Sequence, residues 1–286
     1  MTLRAIFLGW VLVVAASNAA AAEEASTLHV RTRDALGSAV EADIALTILR
    51  PAGLGPFPAV VLSHGRPPEA VRKQMGRVKL SAAATTLLGL GLVVIVPTRI
   101  GYGVSAGPDV EFSVSCEQPQ YAETFAAVAD QIAATVEHAR KLPYVDPQHI
   151  YLVGHSMGGA GTVAAAARGL PGVRAAAAFN SGQGARGRTH PGEPCGVPVL
   201  QSTFASLGGQ RSPAPVLWAH TENDQQISLV HAREWFDAFI AAGGQGSFVA
   251  FPAYRADGHD WFIAEPGGWR DAVQSFFAAN GLRRAP

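Results

Sequence analysis

Short runs of consecutive apolar residues recur along the chain, each separated from the next by a stretch of helical periodicity. Two early segments differ. Thr27 to Arg33 and Ile44 to Leu49 alternate apolar with polar positions, which predicts two half-exposed antiparallel strands at a sheet edge. From there on the runs are continuous: Ala59 to Ser63, Leu92 to Val96, Ile150 to Val153, Ala175 to Phe179, Val216 to Ala219 and Phe248 to Phe251. Uninterrupted apolar strands alternating with helices predict an α/β architecture whose parallel sheet is covered on both faces.

The intervening helices show in their stripes. Tyr121 to Leu142 places Phe125, Val128, Ile132 and Val136 on one face, and Ser228 to Ala242 does the same with Val230, Trp235, Phe236, Phe239 and Ile240. Trp269 to Ala279 predicts a closing helix. No repeat, long linker or shift of composition follows Glu23, so residues 23–286 are expected to form one domain.

Composition narrows the field. With 48% hydrophobic and 15% charged residues the chain can build a core, which excludes a disordered protein. Twenty-two basic residues balance twenty-two acidic ones, leaving no net field to draw nucleic acid or an anionic membrane. The start has its own pattern: Met1 to Arg4 is positive, Ala5 to Ala16 is apolar, and small residues run to Ala22. That order predicts a secretory signal peptide over residues 1–22, cut before Glu23. Its apolar run is well short of the roughly 20 residues that span a bilayer. A secreted or periplasmic protein without stable membrane insertion follows. In such a compartment Cys116 and Cys195, an even pair outside any C-x-x-C, are candidates for a disulfide.

The candidate chemistry begins at Gly154-His155-Ser156-Met157-Gly158, a G-x-S-x-G that directly follows the strand Ile150 to Val153 and precedes a small-residue helix. A strand–turn–helix junction of this kind strains the serine backbone and needs Gly two residues before and after it. The second copy, Gly103 to Gly107 around Ser105, runs into Pro108-Asp109, where no helix starts. Ser156 is therefore the expected nucleophile. A serine hydroxyl needs a base, and the base needs a carboxylate to hold its tautomer. Asp224, after the strand ending at Ala219, is the expected acid, with Glu222 as the alternative; His259, in the Gly-flanked loop after Phe251, is the expected base. His220 is placed at the pocket wall and His155 beside the nucleophile without a chemical part. The developing oxyanion needs backbone N–H donors. Met157 supplies one; in His64-Gly65-Arg66-Pro67-Pro68 the prolines have none, which leaves Gly65 or Arg66, with Arg66 preferred.

The run Gly55-Pro56-Phe57-Pro58 to Ser63-His64-Gly65 resembles the start of the dienelactone-hydrolase-like and prolyl-oligopeptidase-like branches of the α/β-hydrolase superfamily. Arg99-Ile100-Gly101-Tyr102-Gly103-Val104-Ser105 resembles the R-G-x-G-x-S loop of many α/β-hydrolases, which implies a structural role for Ser105. The resemblance implies the eight-stranded, mostly parallel α/β-hydrolase sheet and acyl-transfer chemistry. Dienelactone hydrolases proper carry Cys where this chain has Ser156. The resulting expectation is an exported serine hydrolase of carboxylic esters, small or polymeric, that works through an acyl-enzyme without metal or cofactor. A small peptidase or amidase would use the same three residues. A silent binding protein of this fold would be expected to have lost one of them.

Overall fold

The computed structural model describes residues 22–186, 189–210 and 214–283. The predicted signal peptide lies outside them except for Ala22. The first two strands, β1 (Ala22–Arg33) and β2 (Ala39–Arg50), form a hairpin in antiparallel register from Ala22 opposite Arg50 to Arg33 opposite Ala39. Asp34 closes the turn by accepting the amides of Leu36 and Ser38 on its carboxylate. The remaining strands are β3 (Phe57–Ser63), β4 (Val93–Thr98), β5 (Val145–His155), β6 (Val173–Phe179), β7 (Val216–Thr221) and β8 (Gly246–Phe251). They lie in one eight-stranded sheet of order β1-β2-β4-β3-β5-β6-β7-β8. Pairing is parallel from β4 to β8.

Only β1 of the alternating pair is an edge. β2 also pairs antiparallel with β4, Ala45 to Leu49 against Thr98 to Val94, so its second half is buried and its alternation fades. The other edge is β8, whose residues are mostly half-exposed in spite of their apolar run.

Helices cover both faces. They are α1 (Glu69–Gln74), α2 (Ser81–Leu88), α3 (Tyr121–Ala139), α4 (Met157–Ala166), α5 (Val197–Gly208), α6 (Leu229–Ala241), α7 (Trp261–Ala264) and α8 (Pro266–Ala279). Because successive residues of a strand point to opposite faces, β3 splits its side chains. Ala59 and Val61 join the layer of α3 to α6, while Val60 and Leu62 join that of α2, α7 and α8. The stripe predicted on α3 is fully buried. On α6 it is shifted: Ala232, Trp235, Phe236 and Phe239 face the core, while Val230 and Ile240 are exposed. No helix among the described residues is long and apolar enough to cross a membrane.

Candidate active site

Every parallel strand ends at the same edge of the sheet, so the loops after β3, β5, β7 and β8 converge there. Ser156 follows β5 at once and is the N-cap of α4, with φ 56° and ψ −124°. A non-glycine residue in that region is strained and persists only where its surroundings fix it. Here its N–H donates to Phe179 O (2.8 Å) and its carbonyl accepts from Ala160 (3.0 Å). The flanking glycines are required by contact: a Cβ at Gly154 would collide with Gly158 O, and one at Gly158 with the carbonyls of Ser63 and His64. By contrast, Ser105 is buried; its hydroxyl donates to Thr98 O and accepts from Ala45 N–H (2.9 Å), pinning a loop to β2.

Ser156 Oγ lies 3.0 Å from His259 Nε2, and His259 Nδ1 lies 3.0 Å from both oxygens of Asp224. A carboxylate only accepts, so Nδ1 carries the proton and Nε2 presents its lone pair to the serine. Burial opposes a charge on His259, but the adjacent Asp224 outweighs it and raises the imidazole pKa above its ordinary value. The same pairing holds Asp224 well below the usual carboxylate range against its own burial. The three groups thus come together from β5, β7 and β8, over sequence separations of 35 and 103 residues. Glu222, the alternative acid, is exposed and does not reach the imidazole.

The acid and base loops are tied to each other. Asn223 donates to Tyr254 O (3.3 Å) and Arg255 O (3.0 Å), and Asp257 accepts the amides of both Gln225 (3.0 Å) and His259 (2.9 Å). Asp224 also accepts the backbone amides of Gln226 (2.8 Å) and Ile227 (3.1 Å). Asn180, absent from the sequence-based site, donates to its Oδ2 at 2.7 Å and to Thr221 Oγ1 at 2.9 Å. Its only signal was its place just after a predicted strand.

His220 is buried instead of lining a pocket. Its Nε2 donates to Ile227 O (2.8 Å) and lies 3.3 Å from Asp224, so it braces the acid loop; burial keeps it neutral. His155 packs beside Ser156, and its Nε2–H donates to the backbone carbonyl of His259 (2.7 Å). Burial and the neighbouring His259 press its pKa down to about 3, so it too stays neutral.

Met157 is the first residue of α4, a position whose N–H has no partner within the helix. Gly65 stands against Ser156: a Cβ on it would lie 3.3 Å from Ser156 Cβ. The Arg66 side chain turns to Asp109 and makes a bidentate pair at 2.7 and 2.6 Å.

At the rim, Cys116 and Cys195 are joined in a disulfide. The segment carrying Cys195 rests on the acid loop: Gly192 N–H donates to Gln225 O, and Ser228 N–H to Gly192 O (2.9 Å). Tyr121 of α3 donates to Cys195 O (2.7 Å). The stretch Pro191 to Pro198, turn-rich by sequence, ends inside α5, where Pro198 occupies the first turn.

A family model of the dienelactone hydrolase family matches residues 71–265, about two thirds of the chain. The chain belongs to the dienelactone hydrolase family. It is a hydrolase. Among solved structures, an acetyl xylan esterase from Paenibacillus sp. R4 is similar in fold at 16% identity. The alignment covers 90% of this chain and 84% of that one, with a TM-score of 0.57. An esterase from Pyrococcus furiosus aligns at 13% identity over 90% of this chain and 92% of that one (TM-score 0.58). Porphyromonas gingivalis dipeptidyl peptidase 4 aligns at 14% identity over 89% of this chain but 35% of its own (TM-score 0.58), so this family member spans about a third of that peptidase. Among curated proteins none matches the sequence.

Proposed function

We propose that the protein is an exported serine hydrolase that cleaves carboxylic esters through an acyl-enzyme on Ser156. The observation that carries the reading is the unbroken relay Ser156 Oγ to His259 Nε2 to Asp224, at 3.0 Å per step. His259 takes the serine proton as Oγ attacks the ester carbonyl. Asp224 holds the imidazolium that forms, and His259 then protonates the departing alcohol. Water repeats the sequence against the acyl-enzyme and releases the acid. Backbone N–H groups of Met157 and of Gly65 or Arg66 receive the charge that develops on the carbonyl oxygen. Membership of a hydrolase family supports the reading, and so does the similarity in fold to two esterases. Export is supported by the disulfide and by the order of charge, apolar run and small residues in the first 22 positions.

The test is direct. Purified protein should turn over nitrophenyl acyl esters well ahead of aminoacyl anilides, and a fluorophosphonate should label Ser156. Ser156→Ala should abolish both turnover and labelling while the melting curve is unchanged. Preferential cleavage of the anilides would make it a peptidase, and labelling at Ser105 would overturn the assignment of the nucleophile.

A further inference from the structure

The loop after β3 lies on a fully buried arginine. Arg99, the first residue after β4, is wholly excluded from solvent. Its guanidinium donates to Ser63 Oγ (3.0 Å), to His64 O, and at longer range to Gly65 O (3.4 Å). Its remaining N–H groups form a fork on Glu111, at 2.5 and 3.1 Å, and Glu111 also accepts the Tyr102 hydroxyl. The backbone N–H of Arg99 donates to His64 Nε2 (3.2 Å), and His64 Nδ1 donates to Gly65 O (2.8 Å). Burial and the charge of Arg99 hold His64 neutral, as that pattern requires.

The two carbonyls of this loop therefore point toward Arg99 and His64. In a trans peptide the N–H of the following residue points the opposite way from the carbonyl. The N–H groups of Gly65 and Arg66 thus face away from Arg99, at a point where Gly65 abuts Ser156. Among the described residues no acceptor takes either of them. A buried ion pair is a weak contributor to stability, because desolvation cancels most of the Coulomb gain. Stability alone does not account for a buried cation that, besides its fork on Glu111 and its bond to Ser63, turns further donors onto two consecutive main-chain carbonyls.

We infer that Arg99 is the positioning residue of the oxyanion loop: by holding the carbonyls of His64 and Gly65 it aims the following amides at the oxygen of the tetrahedral intermediate. This rests on the serine-hydrolase reading above. It gives the R-G-x-G-x-S-like loop a task in the reaction, though Arg99 never touches substrate.

The experiment uses Arg99→Met combined with Glu111→Gln, which removes the fork without stranding a buried charge. With nitrophenyl acetate, kcat should fall by about 10²-fold with KM within about twofold, the loss typical of one misplaced oxyanion donor. Affinity for phenylboronic acid, whose tetrahedral serine adduct needs the same amides, should fall in parallel. The pH midpoint of the His259 limb should not move. Should that variant fail to fold, Arg99→Lys, which keeps the charge but not the fork, carries the same three readouts. A folded variant that retains kcat within threefold overturns the inference, as does one whose KM and pH midpoint shift together with kcat. Activity surviving Ser156→Ala would instead sink the underlying reading, so the two failures are told apart.

Discussion

Exchanging Asp224 for Asn replaces one oxygen by NH2 and should still lower kcat by about 10⁴-fold. Asp224 Oδ1 accepts two backbone amides, at 2.8 and 3.1 Å, Oδ2 accepts Asn180 Nδ2 at 2.7 Å, and both oxygens face His259 Nδ1. Every neighbour is a donor, so an introduced NH2 meets a donor wherever it points. The least costly choice keeps oxygen on the two backbone amides and turns the NH2 toward Asn180 and His259. The imidazole then accepts at Nδ1 only by moving its proton to Nε2, where it faces Ser156 Oγ and leaves no lone pair for the serine proton. A base held in the wrong tautomer costs about 10⁴ in kcat, equivalent to about 5.4 kcal/mol of transition-state stabilisation. The assay is nitrophenyl acetate hydrolysis at several pH values, with thermal melts to verify folding. Glu222→Gln, at an exposed position, is the control and should change little. A folded Asp224→Asn variant within tenfold of the parent, or an equal loss in Glu222→Gln, would refute the relay.

On the proposed mechanism activity needs neutral His259, and Asp224 raises its pKa. The acidic limb of the rate profile should therefore have its midpoint above the ordinary value of 6.5, with rate gained as pH rises through it; a midpoint below that value contradicts the pairing. Asp224 itself is depressed, so its contribution to stability is complete above the ordinary carboxylate pKa and is lost as pH falls below it. Urea melts from about pH 7 down to about pH 2 should show the onset of that loss below the ordinary carboxylate pKa in the parent and a flatter response in Asp224→Asn. Replacing both Cys116 and Cys195 by Ser opens a link of sequence separation 79 and should lower stability by about 4–5 kcal/mol on the chain-entropy account. Urea unfolding measures that loss, and a change under 1 kcal/mol would show that the rim holds without the bond.

What the sequence revealed and what it hid follow from how local each signal is. The continuous runs of β3 to β7 were legible because each is buried on both faces whatever its neighbours are. Ser156 and Ser105 were separable because a helix can begin after one and not after the other. The second neighbour of β2 was not legible, since nothing in Ala45 to Leu49 announces pairing with residues about fifty positions later. Nor was α2: Ser81 to Leu88 buries only Ala83, Ala84 and Leu87, too few and too small for a clear stripe. On α6 the apolar residues outnumber the places available in the core, and sequence alone cannot choose which of them, Val230 and Ile240 here, stay in water. The roles of Arg99 and His155 depend on carbonyls, which every residue has, so composition carries no trace of them.

Asn180 shows how backbone and side chain can be separated at such a place. It follows β6 as Ser156 follows β5, and both hold positive φ, 46° and 56°. The parallel ladder carries on past each strand end and fixes them: Ser156 N–H donates to Phe179 O at 2.8 Å, and Asn180 N–H to Ala219 O at 2.9 Å. Asn tolerates this left-handed conformation better than most residues, and its amide then reaches Asp224. Asn180→Ala and Asn180→Gly both delete the amide, but only Ala keeps a Cβ in the strained region. The two variants should lose kcat equally, by about tenfold or more, the kinetic equivalent of the lower end of the about 1.5–3 kcal/mol carried by a bond to a charged group. In urea they should differ, the Gly form being more stable by about 1 kcal/mol because it relieves the backbone. If activity instead tracked stability, with Gly fast and Ala slow, the conformation of residue 180 and not its amide would govern Asp224, and the geometry of the acid loop would have to be traced to the turn itself.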